Sequence, residues 1–187
     1  MKDIKTKDLK FVKFKDEFAE QCHNNFFCEM ETAKYVLWKP TKSIDEAKEK
    51  LNFWKENLSL NGILLLIKEF KSNKIIGYIC ADEIVPNVYG NVGIALGQNF
   101  IKKGYGSQAL NTLIEIIKNK GGKEIIYSHF KENEASKRLA LKFGFKYFKQ
   151  EKRIRKYDKK EFDELFYVLK LKNNQVTTSK EGIDGNI

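Results

Sequence analysis

Apolar residues recur in two different rhythms along this chain. After Ser43 they step by three and four, so that Ile44, Ala47, Leu51, Trp54 and Leu58 line one face of a helix while Lys48, Lys50 and Glu56 fall on the wet side. Ser43-Ile44-Asp45-Glu46 is a capping box: the serine oxygen and the Glu46 side chain can each satisfy a backbone donor at the helix start. Ahead of it, Asp16 to Tyr35 reads as helix in pieces, and Leu37-Trp38-Lys39-Pro40 as an irregular connection. From Ile63 the rhythm changes to short β-type runs: Ile63 to Ile67, a turn at Lys71-Ser72-Asn73-Lys74, then Ile75 to Ala81, then Val92 to Leu96 after the punctuation of Pro86, Asn87 and Gly90. These runs predict three neighbouring antiparallel strands.

A further helix is predicted from Gly104 to Asn119, with Ala109, Leu110, Leu113, Ile114, Ile116 and Ile117 as a broad apolar face and Gly121-Gly122 as its stop. Lys118 and Lys120 suit its negative end. Glu124 to Phe130 reads as a strand, and a helix of this length between it and Val92 to Leu96 predicts parallel strands joined by a right-handed crossover. Asn133 caps another helix that ends at Gly144, with Ala135, Leu139 and Phe143 inward. Two last strands are predicted near Phe145 to Arg155 and Leu165 to Leu171. The whole is α+β with a mixed sheet.

Length and composition narrow the class. With 187 residues, 42% of them hydrophobic, the chain can bury one sizeable core but not two comfortable domains. Residues 1–171 are expected to form that domain, and the polar, glycine-containing stretch 172–187 to be a disordered tail. The longest strongly apolar run, Ile63 to Ile67, falls far short of the roughly 20 residues of a membrane span, and the N-terminus has no apolar signal region. Cys22, Cys28 and Cys80 are odd in number and form neither a disulfide framework nor, with His23 and His129, a set with metal-ligand spacing. A cytoplasmic protein without membrane or metal is the expectation. The net charge of +10 favours an anionic ligand, partner or surface.

The densest chemistry lies in Val92 to Ser107, an apolar strand followed by a basic loop and then by glycines that open a helix. First-turn N–H groups lack intrahelical partners, glycines let phosphate oxygens approach the backbone, and Lys102 and Lys103 add positive charge. The plainer reading is a tight turn with two solvated lysines. Gly104-Tyr105-Gly106-Ser107-Gln108-Ala109 also satisfies the G-x-G-x-x-A dinucleotide pattern. That pattern needs its first glycine at the strand end, whereas Gly97 to Lys103 intervene here, and its acidic residue should end the next strand, where Glu124 begins it.

This stretch resembles the acyl-CoA pyrophosphate loop of the GNAT superfamily of N-acetyltransferases, in the branch of RimJ- and RimL-like ribosomal-protein N-terminal acetyltransferases. Lys34-Tyr35-Val36-Leu37-Trp38 with the capped helix, Ile75-Ile76-Gly77-Tyr78-Ile79, Asn133-Glu134-Ala135-Ser136 with Lys142-Phe143-Gly144-Phe145, and Asp163-Glu164-Leu165-Phe166-Tyr167 resemble that branch in the same order. The resemblance spans residues 9–171. It implies a mixed, centrally splayed sheet flanked by helices, in which Ile94, Ala95 and Leu96 pair with the pantetheine arm of acetyl-CoA. It implies also that Lys102, Lys103, Gly104, Tyr105, Gly106 and Ser107 hold the pyrophosphate, that Asn133 lies by the pantetheine, and that Ser136 lies near the sulfur. Asn133 is equally explained as an N-cap, and Ser136 as an ordinary first-turn residue.

Three positions depart from the family. Ile101 stands where Arg or Gln is frequent, Asn91 where a glutamate is frequent, and Ala140 where many members carry a tyrosine as general acid for the departing thiolate. Ser136 is then the candidate donor to the thiolate. The implied reaction is direct attack of a neutral primary amine on the acetyl thioester, with backbone donors at the oxyanion. Asp82 or Glu83 are candidate bases, with surface carboxylates as the plainer reading, and His129 is a third. A protein N-terminus, a polyamine, an aminoglycoside or a small amino metabolite would suit as acceptor, selected around His23 to Trp38, with Glu17, Glu20, Glu29 or Glu31 able to form an acidic pocket. A homodimer is common in the family. The competing class is a catalytically weak or inactive protein of the same fold that binds RNA or the ribosome through its basic charge.

Overall fold

The computed structural model describes residues 4–171. The tail expected at 172–187 lies outside the described residues. In chain order, a hairpin of β1 (Ile4–Lys5) and β2 (Leu9–Val12) leads into a 3-10 turn, α1 (Ala19–Cys22), a π-helical turn His23–Phe27, α2 (Met30–Ala33) and α3 (Ile44–Glu56). Strands β3 (Ile63–Glu69), β4 (Ile75–Val85) and β5 (Val88–Leu96) follow, then α4 (Tyr105–Asn119), β6 (Glu124–Phe130), α5 (Glu134–Lys142), β7 (Lys146–Ile154) and β8 (Glu161–Lys170). The strands form one sheet in the order β1-β2-β3-β4-β5-β6-β8-β7. Among the described residues no helix is long and apolar enough to cross a membrane.

The sheet separates two cores. On one face α4 lays Ala109, Leu110, Leu113, Ile114 and Ile117 against Leu9, Phe11, Ile67, Ile79, Ile125 and Tyr127. On the other, Cys22, Phe26 and Phe27 from the front helices and Ala47 and Leu51 from α3 cover Leu66, Ile75, Tyr78 and Ala95. Ser43 Oγ accepts from Glu46 N at 3.2 Å, and the Glu46 carboxylate accepts from Lys42 N at 2.8 Å, which completes the cap of α3. Ile44 does not join that face: it is 42% exposed, because the first turn overhangs the core. Ala135 is likewise exposed, and α5 turns Ala140 inward instead.

Two strand expectations shift, and one hairpin is added. The hairpin of β1 and β2 has no clear sequence signal, because only Leu9 and Phe11 alternate inward amid lysines; it is held by Gln108, whose Oε1 accepts from Thr6 Oγ1 at 2.6 Å. The turn before β5 is Pro86-Asn87 alone, with Asn87 at φ 65°, so the strand starts at Val88 and Gly90 lies within it. β8 begins at Glu161, ahead of the apolar run, since β7 supplies its partners down to Ile154.

The pairing of β5 with β6 positions the site. The strands are parallel, as the connecting helix requires, but registered pairs join only Val88 to Glu124 and Tyr89 to Ile125. The cause is local. Between the pairs Cys80 to Gly93 and Asp82 to Gly90, two residues of β5, Asn91 and Val92, face the single Ala81. Asn91 takes the left-handed conformation, φ 49°, and this bulge bends β5 away from β6. Gly93 to Leu96 stay paired with β4 alone, so the parallel contact expected for Val92 to Leu96 is confined to the residues before the bulge.

Candidate active site

The bulge leaves a wedge between β5 and β6. One wall is the Ile94-Ala95-Leu96 backbone, with Ile94 and Leu96 half-buried. At the open end Gly97 packs on the π-turn, a 3-10 turn Gln98–Phe100 follows, and Lys102 (φ 61°) and Gly104 (φ 79°) carry the chain into α4 through left-handed conformations. No side chain caps α4, unlike α3 and α5. The first intrahelical bond runs from Gln108 N to Gly104 O at 3.3 Å, so the amides of Tyr105, Gly106 and Ser107 precede it. A Cβ at Gly104 would meet nothing within 4 Å, and one at Gly106 only Leu139 Cδ2 at 3.8 Å. The helix start therefore opens onto free space with its positive end outward. The turn between Leu96 and Gly104 separates strand from helix too widely for a dinucleotide fingerprint.

The two loop lysines are not equivalent. Lys102 is exposed, whereas Lys103 Nζ lies 3.8 Å from Glu69 Oε1 and over the rings of Phe100 and Tyr105. Tyr105 Oη donates to the same Glu69 oxygen at 2.6 Å. That bond pushes the Tyr105 phenol up to about 12. Burial acts to raise the Glu69 carboxyl, but the donors Ser72 and Tyr105 and the charge of Lys103 outweigh it and hold the group below its ordinary range. Glu69 thus anchors the loop from below. A cation that the sequence did not single out, Lys142 on α5, reaches Ser107 Oγ at 3.0 Å. Only the packing of α5 beside α4 places it there.

Asn133 caps α5, its Oδ1 accepting from Ser136 N at 3.1 Å. Ser136 Oγ lies 2.8 Å from Tyr127 Oη of β6. Ala140, the position of the family's tyrosine, is fully buried. The candidate bases are engaged elsewhere. Glu83 sits beside the closed end of the wedge, its carboxylate accepting from Asn61 Nδ2 at 2.5 Å and from Asn87 N at 2.8 Å. These donors, Asn61 first, hold it below the ordinary carboxylate range and describe a brace for the β4–β5 hairpin. Asp82 Oδ1 accepts from Ser59 N at 2.9 Å. His129 is buried, stacked on Tyr167, with Nδ1 2.9 Å from Phe130 O; burial lowers its pKa and favours the neutral ring.

The front segment divides between core and site. Phe26 and Phe27 are fully buried, Trp38 Nε1 donates to Tyr78 Oη at 2.8 Å, and His23 Nδ1 lies 2.7 Å from Thr41 Oγ1. Three of the front glutamates have separate partners: Glu17 pairs with Lys15 and Glu31 with Lys34, while Glu29 accepts from Thr32 Oγ1 at 2.5 Å and from Gln98 N at 2.9 Å. Glu29 and Thr32 thereby tie α2 to the end of β5. Arg155, beyond β7, closes the other side. Its Nη1 donates to the carbonyls of Ala33, Lys34 and Val36 (2.9 to 3.3 Å) and its Nε and Nη2 to Asp158, joining the β7–β8 connection to the end of α2 and the residues after it. Lysine cannot serve both groups, so Arg155→Lys is expected to cost about 2 kcal/mol of stability. A urea midpoint unchanged from wild type would contradict this.

The sequence matches the family model described as Acetyltransferase (GNAT) domain over residues 8–146. No curated protein matches closely enough to count as a relative. Among solved structures, an acetyltransferase (GNAT family) from Bacillus anthracis is 20% identical, with a TM-score of 0.75 over 90% of this chain and 98% of that one. RimL, a ribosomal-protein alpha-N acetyltransferase in complex with coenzyme A, is 17% identical, TM-score 0.74, over 89% and 96%. The microcin self-immunity acetyltransferase MccE, in complex with acetyl-CoA and AMP, is 20% identical, TM-score 0.74, over 89% and 94%. At these identities the likeness establishes the fold, and the family model carries the kinship. The chain belongs to the acetyltransferase (GNAT) domain family.

Proposed function

We propose that this acetyltransferase transfers the acetyl group of acetyl-CoA to the free α-amine of a polypeptide N-terminus, by direct attack of the neutral amine on the thioester. The observation that carries the cofactor half is the wedge: β5 leaves β6 after Tyr89, and its unpaired side leads to an uncapped helix start. In this reading Ile94, Ala95 and Leu96 bond the amide arm. Lys102, Gly104, Tyr105, Gly106 and Ser107 hold the pyrophosphate, with Lys103 acting mainly through Glu69. Asn133 and Ser136 line the thioester end.

The acceptor half follows from the base. Glu83 is braced with its carboxyl held below the ordinary range and His129 is buried with its pKa lowered, so neither of these candidate bases is tuned toward neutrality. Such a site works best on an amine that supplies its own neutral form. An α-amine, with a pKa of about 7.7 to 8.0, is far less protonated near neutral pH than an alkyl amine at about 10.4. Glu83 remains the carboxylate nearest the role of proton acceptor, through water, and Glu83→Gln is expected to lower kcat less than about tenfold.

Calorimetric titration should show one-to-one binding of acetyl-CoA and CoA but not of NADPH. Thiol release should then follow a peptide with a free N-terminus and not the same peptide with a blocked one, nor a polyamine or aminoglycoside. Absence of acetyl-CoA binding by folded protein would overturn the cofactor half. Faster release with a polyamine would overturn the acceptor half alone.

A further inference from the structure

The tyrosine that many family members place on the helix is missing, yet the fold brings a different phenol to the same serine. Tyr127 lies on β6, which borders the wedge, and its side chain is 5% exposed. Its ring packs on Phe145 with centroids 5.4 Å apart, its backbone pairs with Tyr167, and its hydroxyl meets Ser136 Oγ at 2.8 Å. Ser136 is fixed in turn by the hydrogen bond that its backbone N–H donates to Asn133 Oδ1. Both hydroxyls are thus held by rigid elements before any substrate arrives.

We propose that Tyr127 is a positioning residue for the leaving thiolate: its O–H donates to Ser136 Oγ, which turns the Ser136 O–H toward the departing sulfur and strengthens that hydrogen bond. The inference rests on the acetyl-CoA reading given above. A serine hydroxyl has one proton to give and two lone pairs to receive. A phenol is much the more acidic of the two hydroxyls, so it takes the donor role and leaves the serine proton available. Hydrogen bonds in such a chain polarise one another, and a donor to an anion is the stronger for it. Burial keeps the Tyr127 phenol above its ordinary range although the bond to Ser136 pulls it back, so it stays an O–H donor.

In the step itself the amine nitrogen forms the bond to the carbonyl carbon, the C–S bond breaks, and its electron pair goes to sulfur. The amine proton passes to solvent. The thiolate accepts the Ser136 hydrogen bond as charge develops, leaves as CoA thiolate and takes its proton from solvent. Neither hydroxyl loses its proton, so both are ready for the next turnover.

The test reads the bound thiol directly. In the complex with free CoA, thiolate absorbance followed across pH should place the thiol about one unit below the free thiol, since hydroxyl donors favour the charged form. Tyr127→Phe, which keeps the ring and its contact with Phe145, should remove most of that shift and lower kcat about tenfold, with Kd for acetyl-CoA unchanged within about threefold. Ser136→Ala should do the same or more, and the double variant should be no worse than Ser136→Ala. A wild-type thiol pKa and kcat in Tyr127→Phe, or losses that multiply in the double variant, would overturn the inference while acetyl transfer stands. Wild-type protein that does not bind CoA would instead overturn the cofactor reading.

Discussion

Gly106→Trp is expected to weaken acetyl-CoA binding by at least about 100-fold, close to 2.7 kcal/mol, in a protein that still folds. Gly106 is in the first turn of α4, where the amides that precede the first intrahelical bond have no partner within the helix. A Cβ there meets only Leu139 Cδ2 at 3.8 Å, an ordinary contact, so the backbone accepts a side chain without moving. An indole must then lie over the helix start, in the space proposed above for the pyrophosphate. Replacing a helical glycine also lowers backbone entropy in the unfolded chain, worth up to about 1 kcal/mol toward the fold. Calorimetric titration beside a thermal melt separates the two effects. Wild-type affinity in a folded variant would mean that the cofactor does not use this turn.

Gly97→Ala is expected to act in the opposite way, through the fold first. A Cβ at Gly97 would lie 1.8 Å from Asn25 O and 3.0 Å from Asn25 C. Both are backbone atoms of the π-turn His23–Phe27, so no rotamer change can relieve the overlap. Gly97 N also donates to Ile76 O at 2.9 Å, which stops the residue from backing away. Either the π-turn or the end of β5 must shift, at a cost of about 3 kcal/mol. For a chain of this size that lowers Tm by roughly 6 to 12 °C. Acetyl-CoA affinity should fall as well, because Leu96 and Gln98 flank the displaced residue. Gly104→Ala gives the contrast: it meets nothing within 4 Å and costs only the left-handed backbone strain, about 1 kcal/mol. Equal melting temperatures for Gly97→Ala and wild type would show that the π-turn yields freely.

The two substitutions also divide what was legible before the fold was known. Gly104 and Gly106 announce themselves, since two glycines after a basic loop at a strand-to-helix junction have a local reading. Gly97 does not. Its constraint is a carbonyl from a segment that reads only as helix in pieces. The same division runs through the site. Asn133 was legible as a cap because its partner amide is three residues away. The bulge was not, although Asn91 was noticed as a departure, since its left-handed conformation follows from how β4 and β5 pair rather than from its neighbours in the chain. Glu83 stood out as a carboxylate after a strand, and its engagement by Asn61 and Asn87 appeared only with the hairpin folded.

The sequence by itself determined the helix starts at Ser43, Gly104 and Asn133, the presence of three antiparallel strands between Ile63 and Leu96, the parallel return through α4, and the glycine turn that opens α4. Each rests on a signal spread over a few adjacent residues, where periodicity, capping and backbone freedom act locally. Tertiary structure alone decided that Lys103 turns to Glu69 while Lys142 reaches Ser107, that Arg155 clasps carbonyls about 120 positions earlier in the chain, and that a phenol stands behind Ser136. Those pairings join residues on different elements. A side chain carries no mark of which distant partner the packing of two layers will bring into contact with it.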